Sequence, residues 1–235
     1  MKILSELIHP EEIISSTVNL SSKVVDVLTD SRRVKPGSLF VAIRGIQSDG
    51  HQFVSEVLAK GGVAVVDRNY SQNSPGILKV HSTREIVGKI ASRFWNHPTQ
   101  QFRLIGVTGT NGKTTTTFLL DQVWAKMGFV TGLLGTVTNK IGQEVMESSL
   151  TTPGPIELQE MFHRMVQHRV ALCAMEVSSI ALDQDRTLGS YFALGVFTNF
   201  TQDHLDYHLT MEKYFESKIK FFKNYRLPCL SLIHI

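Results

Sequence analysis

The chain has 235 residues, about one and a half average domains; 42% of them are hydrophobic, 19% are charged, and the formal net charge is +3. This balance indicates a folded globular protein and excludes a disordered or collagen-like chain. Neither charge forms a long block, which argues against a nucleic-acid-binding protein. No apolar run reaches the roughly 18 residues of a membrane span, and the acidic N-terminus is unlike a signal peptide. Two cysteines are too few for a disulfide framework, which favours a cytoplasmic protein.

Residues 1–100 predict a small α/β domain. The strands are expected where apolar, β-branched residues run between turn signals, at 23–28, 38–45 and 63–67. The helices are expected where apolar residues recur at helical spacing, at 51–60 and at 83–95 with Thr83 as its N-terminal cap. The proline at position 98 stops the second helix, so we place the domain boundary near residue 100.

Residues 101–235 alternate predicted strands and helices, which is typical of a mostly parallel sheet covered by helices. The predicted strands are 102–107, 129–137 (one strand or two short ones), 170–177 and 192–199. The predicted helices are 115–128, 155–169 and 211–222. The fold class expected for the whole chain is therefore α/β, with a P-loop-type second domain.

The strongest motif is GTNGKTTTT (109–117), between a predicted strand and a predicted helix. A glycine loop there lets main-chain N–H groups and the helix N-terminus surround a phosphate. Lys113 is then expected to reach the β- and γ-phosphates, and the Thr114 hydroxyl to ligate Mg²⁺. The loop is a variant, because Val107 stands where the common pattern has its first glycine. The alternative is a Gly/Thr-rich turn with a purely structural purpose.

Glu176 ends a predicted apolar strand, where a buried carboxylate must be paired or bind a metal. Its alternative role is structural, with Ser178 or Ser179 as hydrogen-bond partner. Because ligands of open α/β sheets bind at the carboxyl ends of strands, a paired or metal-binding Glu176 would lie in a ligand-binding site.

His204 follows the next strand along and can face the same crevice. It lies close in sequence to Asp203, Asp206 and His208, which makes a metal site and a structural histidine equally reasonable. The residue pattern alone favours a solvated surface lysine at Lys218, on the last helix.

Taken together, several stretches resemble the Mur ligase family, and the resemblance covers about residues 24 to 223. The branch resembled is the one that adds the third amino acid to the cell-wall precursor with ATP. The motifs that carry the resemblance are TDSR (29–32), LFVAIRGIQSDGHQF (39–53), GTNGKTTTT, LGT (134–136), LTTP (150–153), AMEVSS (174–179), FTNFTQDHLDYH (197–208) and MEKYFESK (211–218). DSR and TTP separate this branch from the folylpolyglutamate synthetases.

The resemblance assigns roles to matching positions. Lys113, His204 and Lys218 would be catalytic, with Lys218 modified to a carbamate. The ATP-binding residues would be Gly109, Thr110, Asn111, Gly112, Lys113, Thr114 and Thr115. Magnesium ions would be held by Thr114, Glu176, His204 and the Lys218 carbamate. The UDP-muramoyl-dipeptide would contact Ser31, Asn111, Thr151, Thr152, Ser178, Gln184 and Arg186.

The implied reaction is ATP-dependent amide-bond formation through an acyl phosphate, in peptidoglycan synthesis. The implied partners are UDP-muramoyl-dipeptide and an amino acid whose identity the sequence does not give, and a monomer is expected. Residues 1–100 would bind the UDP precursor and residues 101–235 would bind ATP. The alternatives are a non-catalytic nucleotide-binding module and a related ligase, either the final Mur ligase or a folylpolyglutamate synthetase.

The sequence departs from the family pattern in two places. Ile180-Ala181 follows EVSS, where many members have His-Gly or His-Ala. The family's third domain, which binds the amino acid, has no counterpart, so we expect a fragment that does not complete ligation alone. LPCLSLIHI (227–235) is unlike the family's continuation and is interpreted as a foreign or frameshifted tail, or as a last strand.

Overall fold

A computed structural model describes residues 1–45, 48–225 and 227–231. The chain divides into two compact units, Met1–His97 and Pro98–Ile235, each described by itself. Of the tail predicted from 227–235, residues 229–231 form a strand, and residues 232–235 lie outside the described residues. No helix in the described part of the chain is both long enough and apolar enough to cross a membrane.

The first unit is a five-stranded sheet with helices packed against it. Its strands are β1 (Lys2–Ile3), β2 (Ile13–Ser16), β3 (Lys23–Val24), β4 (Asp26–Leu28), β5 (Ser38–Val41), β6 (Val63–Asp67) and β7 (Ile77–Val80). Its helices are α1 (Leu4–Leu7), α2 (Val54–Ala59) and α3 (Thr83–Phe94). The sheet order is β2-β7-β6-β5-β4, parallel except for β2, and β1 pairs separately with β3.

The expectation of Thr83 as the cap of α3 is wrong. Ser82 caps the helix, because its hydroxyl accepts a hydrogen bond from the Glu85 N–H at 3.3 Å. Thr83 instead donates its main-chain N–H and its hydroxyl to Asp67 at the end of β6. The cap thus lies one residue earlier, and Thr83 fastens the helix to the sheet.

The second unit is a seven-stranded sheet flanked by helices. Its strands are β8 (Arg103–Thr108), β9 (Thr131–Leu134), β10 (Thr138–Ile141), β11 (Glu144–Glu147), β12 (Leu172–Glu176), β13 (Leu194–Phe197) and β14 (Cys229–Ser231). Its helices are α4 (Lys113–Lys126), α5 (Pro155–Gln167), α6 (Ser179–Asp183), α7 (Leu205–His208) and α8 (Met211–Tyr225). The order is β11-β10-β9-β12-β8-β13-β14; β10 and β11 form an antiparallel hairpin at one edge and the other five strands are parallel.

Parallel pairing brings the ends of β8, β12 and β13 to one edge of this sheet. Glu176 pairs in register with Val107, and Phe197 pairs with Thr108. The segments that follow these strands therefore begin side by side, as expected for a ligand site in an open α/β sheet. The predicted α/β class, with a mostly parallel sheet covered by helices, is confirmed.

Candidate functional site

A glycine loop joins β8 to α4 in a conformation that larger residues adopt with difficulty. Gly109 has φ +142° and Gly112 has φ +82°. A Cβ atom at Gly109 would also collide with the hydroxyl of Thr198. The Thr116 N–H donates to the Gly112 carbonyl at 2.9 Å and closes the first turn of α4. The N–H groups ahead of it therefore point out of the helix N-terminus, where an anion is stabilised.

The loop is fastened to the segment that follows β13. The Thr110 N–H donates to the Asn199 carbonyl at 2.9 Å, and the Asn111 N–H donates to the Asn199 side chain at 2.9 Å. The Thr198 hydroxyl donates to the Asn111 carbonyl at 2.7 Å. Two of the loop amides expected to bind ATP are thus occupied in holding the loop. The main-chain donors left for a phosphate in this loop begin at Gly112.

The Thr114 hydroxyl and the Glu176 carboxylate, two of the predicted metal ligands, meet at the carboxyl edge of the sheet. Thr114 donates to Glu176 Oε1 at 3.0 Å. Thr136 adds its main-chain N–H to Oε1 at 3.0 Å and its hydroxyl to Oε2 at 3.1 Å. The structural alternative for Glu176, a bond from Ser178 or Ser179, is not what the structure shows. Hydroxyls and an amide instead hold a carboxylate that is 1% exposed.

Lys113 lies over the loop that precedes it. Its Nζ donates to the carbonyls of Gly109 at 3.0 Å and Thr110 at 2.7 Å. Burial lowers the pKa of Lys113, and the nearby Glu176 and Asp203 oppose this shift. The ammonium group is therefore held at the loop by neutral carbonyls, and phosphate oxygens are stronger acceptors for it.

Lys218 is buried beneath the same loop, so its interpretation as a surface lysine is wrong. The residue is 1% exposed, and its Nζ donates to the Gly109 carbonyl at 2.8 Å. The Nζ also lies 4.4 Å from the centre of the Tyr214 ring. Burial, with the charge of Lys113 as a second cause, lowers the pKa of Lys218 to about 7. Two lysine side chains thus share one carbonyl oxygen, that of Gly109.

The two histidines of the predicted His/Asp cluster lie in different surroundings. His204 lines the cleft, has φ +52°, and its Nε2 lies 3.6 Å from the Asp203 carboxylate. His208 is buried and lies 2.9 Å from the Ser179 hydroxyl. Within the described residues, no three His, Cys, Asp or Glu side chains are grouped to hold a metal ion. The described residues therefore include no metal site built from such side chains alone.

The donor set at the cleft does fit a magnesium ion that is also bound by phosphates. Thr114 and Glu176 supply the hard oxygen ligands that Mg²⁺ prefers, and His204 lies in the same cleft. Magnesium in nucleotide sites takes one or two protein ligands, and phosphate and water oxygens complete its shell. A site of two oxygen ligands beside a helix N-terminus meets that need.

The cleft in which these groups meet has a volume of about 580 Å³. It unites most of the residues expected to bind ATP, metal and dipeptide. The lining residues are Thr110, Asn111, Gly112, Lys113, Thr114, Thr115, Thr136, Leu150, Thr151, Thr152, Glu176, Ser178, Ile180, Arg186 and His204. Sequence reasoning did not select Thr136, Leu150 or Ile180 as site residues, although Thr136 ends the LGT motif that carried the family resemblance.

Four predicted site residues are absent from this lining. Gly109 lies in the loop, where its carbonyl accepts hydrogen bonds from Lys113 and Lys218. Gln184 lies behind Arg186 and accepts two hydrogen bonds from its guanidinium. Lys218 lies behind the loop. Ser31 belongs to the first unit, where it is 6% exposed and starts a turn capped by Asp30.

The part of the cleft beyond Glu176 is built from hydroxyls and one cation. The Thr152 hydroxyl donates to the Glu176 main-chain carbonyl at 2.9 Å, and the Thr151 hydroxyl lies 3.0 Å from that of Thr136. The guanidinium of Arg186 donates to the Thr152 carbonyl at 2.9 Å. Burial lowers the pKa of Arg186, but the group stays charged at neutral pH. An anionic group is thus favoured at this end of the cleft.

The sequence pattern of the Mur ligase middle domain matches residues 107–234, and that of the "Mur ligase family, catalytic domain" matches residues 23–95. The UDP-N-acetylmuramoyl-L-alanyl-D-glutamate–2,6-diaminopimelate ligase of Clostridium perfringens is 41% identical over 87% of this chain and 43% of its own length. The ligase of the same name from Cytophaga hutchinsonii is 41% identical over 98% of this chain and 48% of its own length.

A solved structure of a ligase with that name superposes with a TM-score of 0.84 at 26% identity, over 98% of this chain and 47% of the other. A MurF ligase from Thermotoga maritima, solved in complex with ADP, has the same fold at a TM-score of 0.56 and 22% identity, over 89% of this chain and 45% of the other. The chain thus spans less than half the length of these relatives. Because the middle-domain pattern alone covers more than half of the 235 residues, the chain belongs to the Mur ligase family.

Proposed function

We propose that this chain is the part of an ATP-dependent ligase that binds Mg-ATP and UDP-muramoyl-dipeptide, and that the ligase adds the third amino acid of the peptidoglycan precursor. The observation that carries the proposal is the 3.0 Å contact between the Thr114 hydroxyl and the Glu176 carboxylate. This pair lies between the helix N-terminus, which suits phosphates, and the hydroxyl-lined end with Arg186, which suits an acidic substrate.

In the proposed reaction, a carboxylate of the dipeptide attacks the γ-phosphorus of ATP, and ADP leaves. The amine of the incoming amino acid then attacks the acyl phosphate, and phosphate leaves as the amide bond forms. Lys113 and the N–H groups at the start of α4 would hold the phosphates, and Arg186 would orient the dipeptide. Magnesium bound at Thr114 and Glu176 would neutralise phosphate charge as it develops. Catalysis of this kind depends mainly on positioning and on charge stabilisation.

Lys218 is proposed to act as a carbamate. With a pKa of about 7, a large fraction of this amine is neutral near pH 7. A neutral amine attacks CO₂, so that a C–N bond forms and one proton is released. The product carries a negative charge and two oxygens where the amine had neither. Such a group beside the loop would favour a second cation near His204.

The proposal includes three finer points. The first unit would bind the UDP part, with Ser31 in contact with it. The amino acid added is proposed to be diaminopimelate, because that word stands in the names of the relatives from Clostridium and Cytophaga. The compartment is proposed to be the cytoplasm, and the buried free thiol of Cys173 is compatible with that choice.

The test is ligation by the purified product of the complete gene. ATP, Mg²⁺, UDP-muramoyl-dipeptide and diaminopimelate are expected to give UDP-muramoyl-tripeptide, detected by mass spectrometry, with one phosphate released per product. Lysine in place of diaminopimelate tests the choice of amino acid separately. ATP hydrolysis that does not depend on the dipeptide, with no tripeptide formed from either amino acid, would contradict the proposal.

A further inference from the structure

A chain of four side chains leads from the edge of the cleft to the surface near α8. The Tyr207 hydroxyl donates to Asp183 Oδ2 at 2.9 Å and accepts from Gln184 Nε2 at 3.2 Å. Gln184 Oε1 accepts from Arg186 Nε at 3.0 Å and from Arg186 Nη2 at 2.7 Å. The cleft-lining guanidinium is thus connected through an amide and a phenol to a carboxylate.

The two ends of this chain determine the direction of every hydrogen bond in it. An ionised aspartate only accepts, so the hydroxyl of Tyr207 gives its proton to Asp183. The same oxygen then accepts, which places the NH₂ group of Gln184 towards Tyr207. The carbonyl oxygen of Gln184 must therefore face Arg186, which only donates. If the amide were reversed, its NH₂ group would be directed at a guanidinium, and two donors would face each other.

The orientation of Gln184 matters because it fixes the plane of the guanidinium. Within the described residues, three of the five N–H donors of Arg186 are engaged, two by Gln184 and one by the Thr152 carbonyl. One N–H donor on each of Nη1 and Nη2 of Arg186 is not used by these contacts. A planar guanidinium held in this way is prepared for an anionic group without further loss of rotamer freedom.

We propose that Tyr207 is a positioning residue: by fixing the amide of Gln184, it holds Arg186 in the orientation that binds an anionic group of the acceptor substrate. This inference rests on the proposed function for the identity of that substrate. Tyr207 itself does not line the cleft. Its effect is on the substrate that contacts Arg186 and not on ATP, whose proposed site lies at the other end.

The variant that tests this is Tyr207→Phe in the product of the complete gene. Tyr207 is half-buried, so a phenyl ring fits its place, and only the hydroxyl is lost. We expect the KM for UDP-muramoyl-dipeptide to rise about three- to tenfold, the size of one neutral hydrogen bond, because the hydroxyl that fixes Gln184 is lost. The KM for ATP and kcat are expected to stay within twofold. In an Arg186→Ala background, the same change is expected to have no further effect on that KM.

The matched control is Tyr225→Phe, which also removes a hydroxyl from the second unit. That hydroxyl donates to Thr187 at 2.9 Å and is not part of the chain to Arg186. No change in the dipeptide KM is expected. Asp183→Ala is a second variant at the far end; it frees the Tyr207 proton to turn towards Gln184, and it is expected to raise the dipeptide KM in the same direction.

A spectroscopic readout separates this inference from the proposed function. The Nε–H signal of Arg186, followed by ¹H–¹⁵N NMR without substrate, is expected to exchange with water about tenfold faster in Tyr207→Phe than in the parent protein. Unchanged exchange, or an equal KM effect in the Arg186→Ala background, would overturn the inference. Faster exchange in a protein that does not bind the dipeptide would support the positioning role and contradict the proposed function instead.

Discussion

Arg93 and Glu12 in the first unit are mostly buried, and Lys218 in the second is 1% exposed. Their charges are matched differently. Arg93 donates to Glu12 at 2.6 and 2.9 Å, an opposite charge held in a two-point contact. Lys218 donates to a neutral carbonyl, that of Gly109. An ion pair is complete by itself, whereas a cation on a carbonyl can still gain from an anionic ligand.

This difference in charge matching is a feature of the cleft, because the second unit also contains an ion pair. Elsewhere in the second unit, Lys140 donates to both oxygens of Asp121, which is 2% exposed. In the cleft, Lys113 has carbonyl acceptors and Glu176 has hydroxyl and amide donors. A binding site for a charged ligand can therefore be recognised where buried charged groups have neutral hydrogen-bond partners instead of opposite charges.

The largest effect that this comparison predicts is at Lys218. We expect Lys218→Ala and Lys218→Arg each to lower ligation by at least about 100-fold, since both remove the proposed anionic oxygens near the phosphates. Formate is expected to restore part of the alanine variant's activity. Lys223→Ala, at an exposed lysine later in the same helix, is the control and should leave turnover unchanged. Near-normal turnover of Lys218→Arg would mean that a simple cation is sufficient.

The next largest effect is expected at Lys113. Removing its ammonium in Lys113→Ala should weaken ATP binding by about 10- to 100-fold, the size of a charge-assisted hydrogen bond of about 1.5–3 kcal/mol. Isothermal titration calorimetry of the purified chain measures this directly. Lys126→Ala, in the exposed last turn of the same helix, is the matched control. Equal ATP affinity in both variants would contradict the assignment of the loop.

A smaller effect is expected at Thr136, which donates twice to Glu176. Thr136→Val removes one hydroxyl at nearly constant shape, so the Mg²⁺ concentration needed for half-maximal ATP binding should rise about two- to tenfold. Thr138→Val is the control, because its hydroxyl donates to the Met146 carbonyl in the hairpin. An identical Mg²⁺ dependence in the two variants would show that Thr136 does not orient the carboxylate.

The smallest effect is expected in the first unit, where the charge pair should influence stability alone. Burial raises the pKa of Glu12, but the Arg93 contact and the hydrogen bond from the His9 N–H outweigh it and hold that pKa below its usual value of 4.5. The stabilisation by ionised Glu12 is therefore present above pH 4.5 and is lost as the pH falls through the lower folded-state pKa. Unfolding by urea between pH 6 and pH 3 should show a shallower loss of stability in Glu12→Gln than in the parent chain. Glu11→Gln, at an exposed neighbour, should follow the parent curve.

Secondary structure was predicted most accurately for helices and strands whose own residues show a clear pattern. Strand β6 begins and ends at the predicted residues, and helix α5 differs only by two residues at its end. The hairpin of β10 and β11 was not predicted, because its segments are short, polar and packed at a sheet edge. Local pattern and strand–loop–helix order could thus be predicted, but edge strands that depend on a neighbour could not.

The residues of the site were predicted more completely than the contacts between them. The glycine loop, Glu176 and Arg186 were all selected from motifs, and the cleft contains them. The direction of the Thr110 and Asn111 amides was not predictable, since it depends on Asn199, almost 90 residues further along. Tyr207 was likewise overlooked, because its importance follows from hydrogen-bond direction and not from residue type.

Calorimetry of ATP binding to Glu176→Gln shows whether the charge of Glu176 serves a divalent metal that is bound with ATP. A bare carboxylate beside phosphates is repulsive, whereas a carboxylate with Mg²⁺ is attractive. We therefore predict an effect that depends on Mg²⁺: without Mg²⁺ the variant binds ATP as tightly as the parent chain or more tightly, and with saturating Mg²⁺ it binds ATP at least about tenfold more weakly. An equal loss of affinity with and without Mg²⁺ would show that Glu176 only shapes the loop, and would contradict the claim.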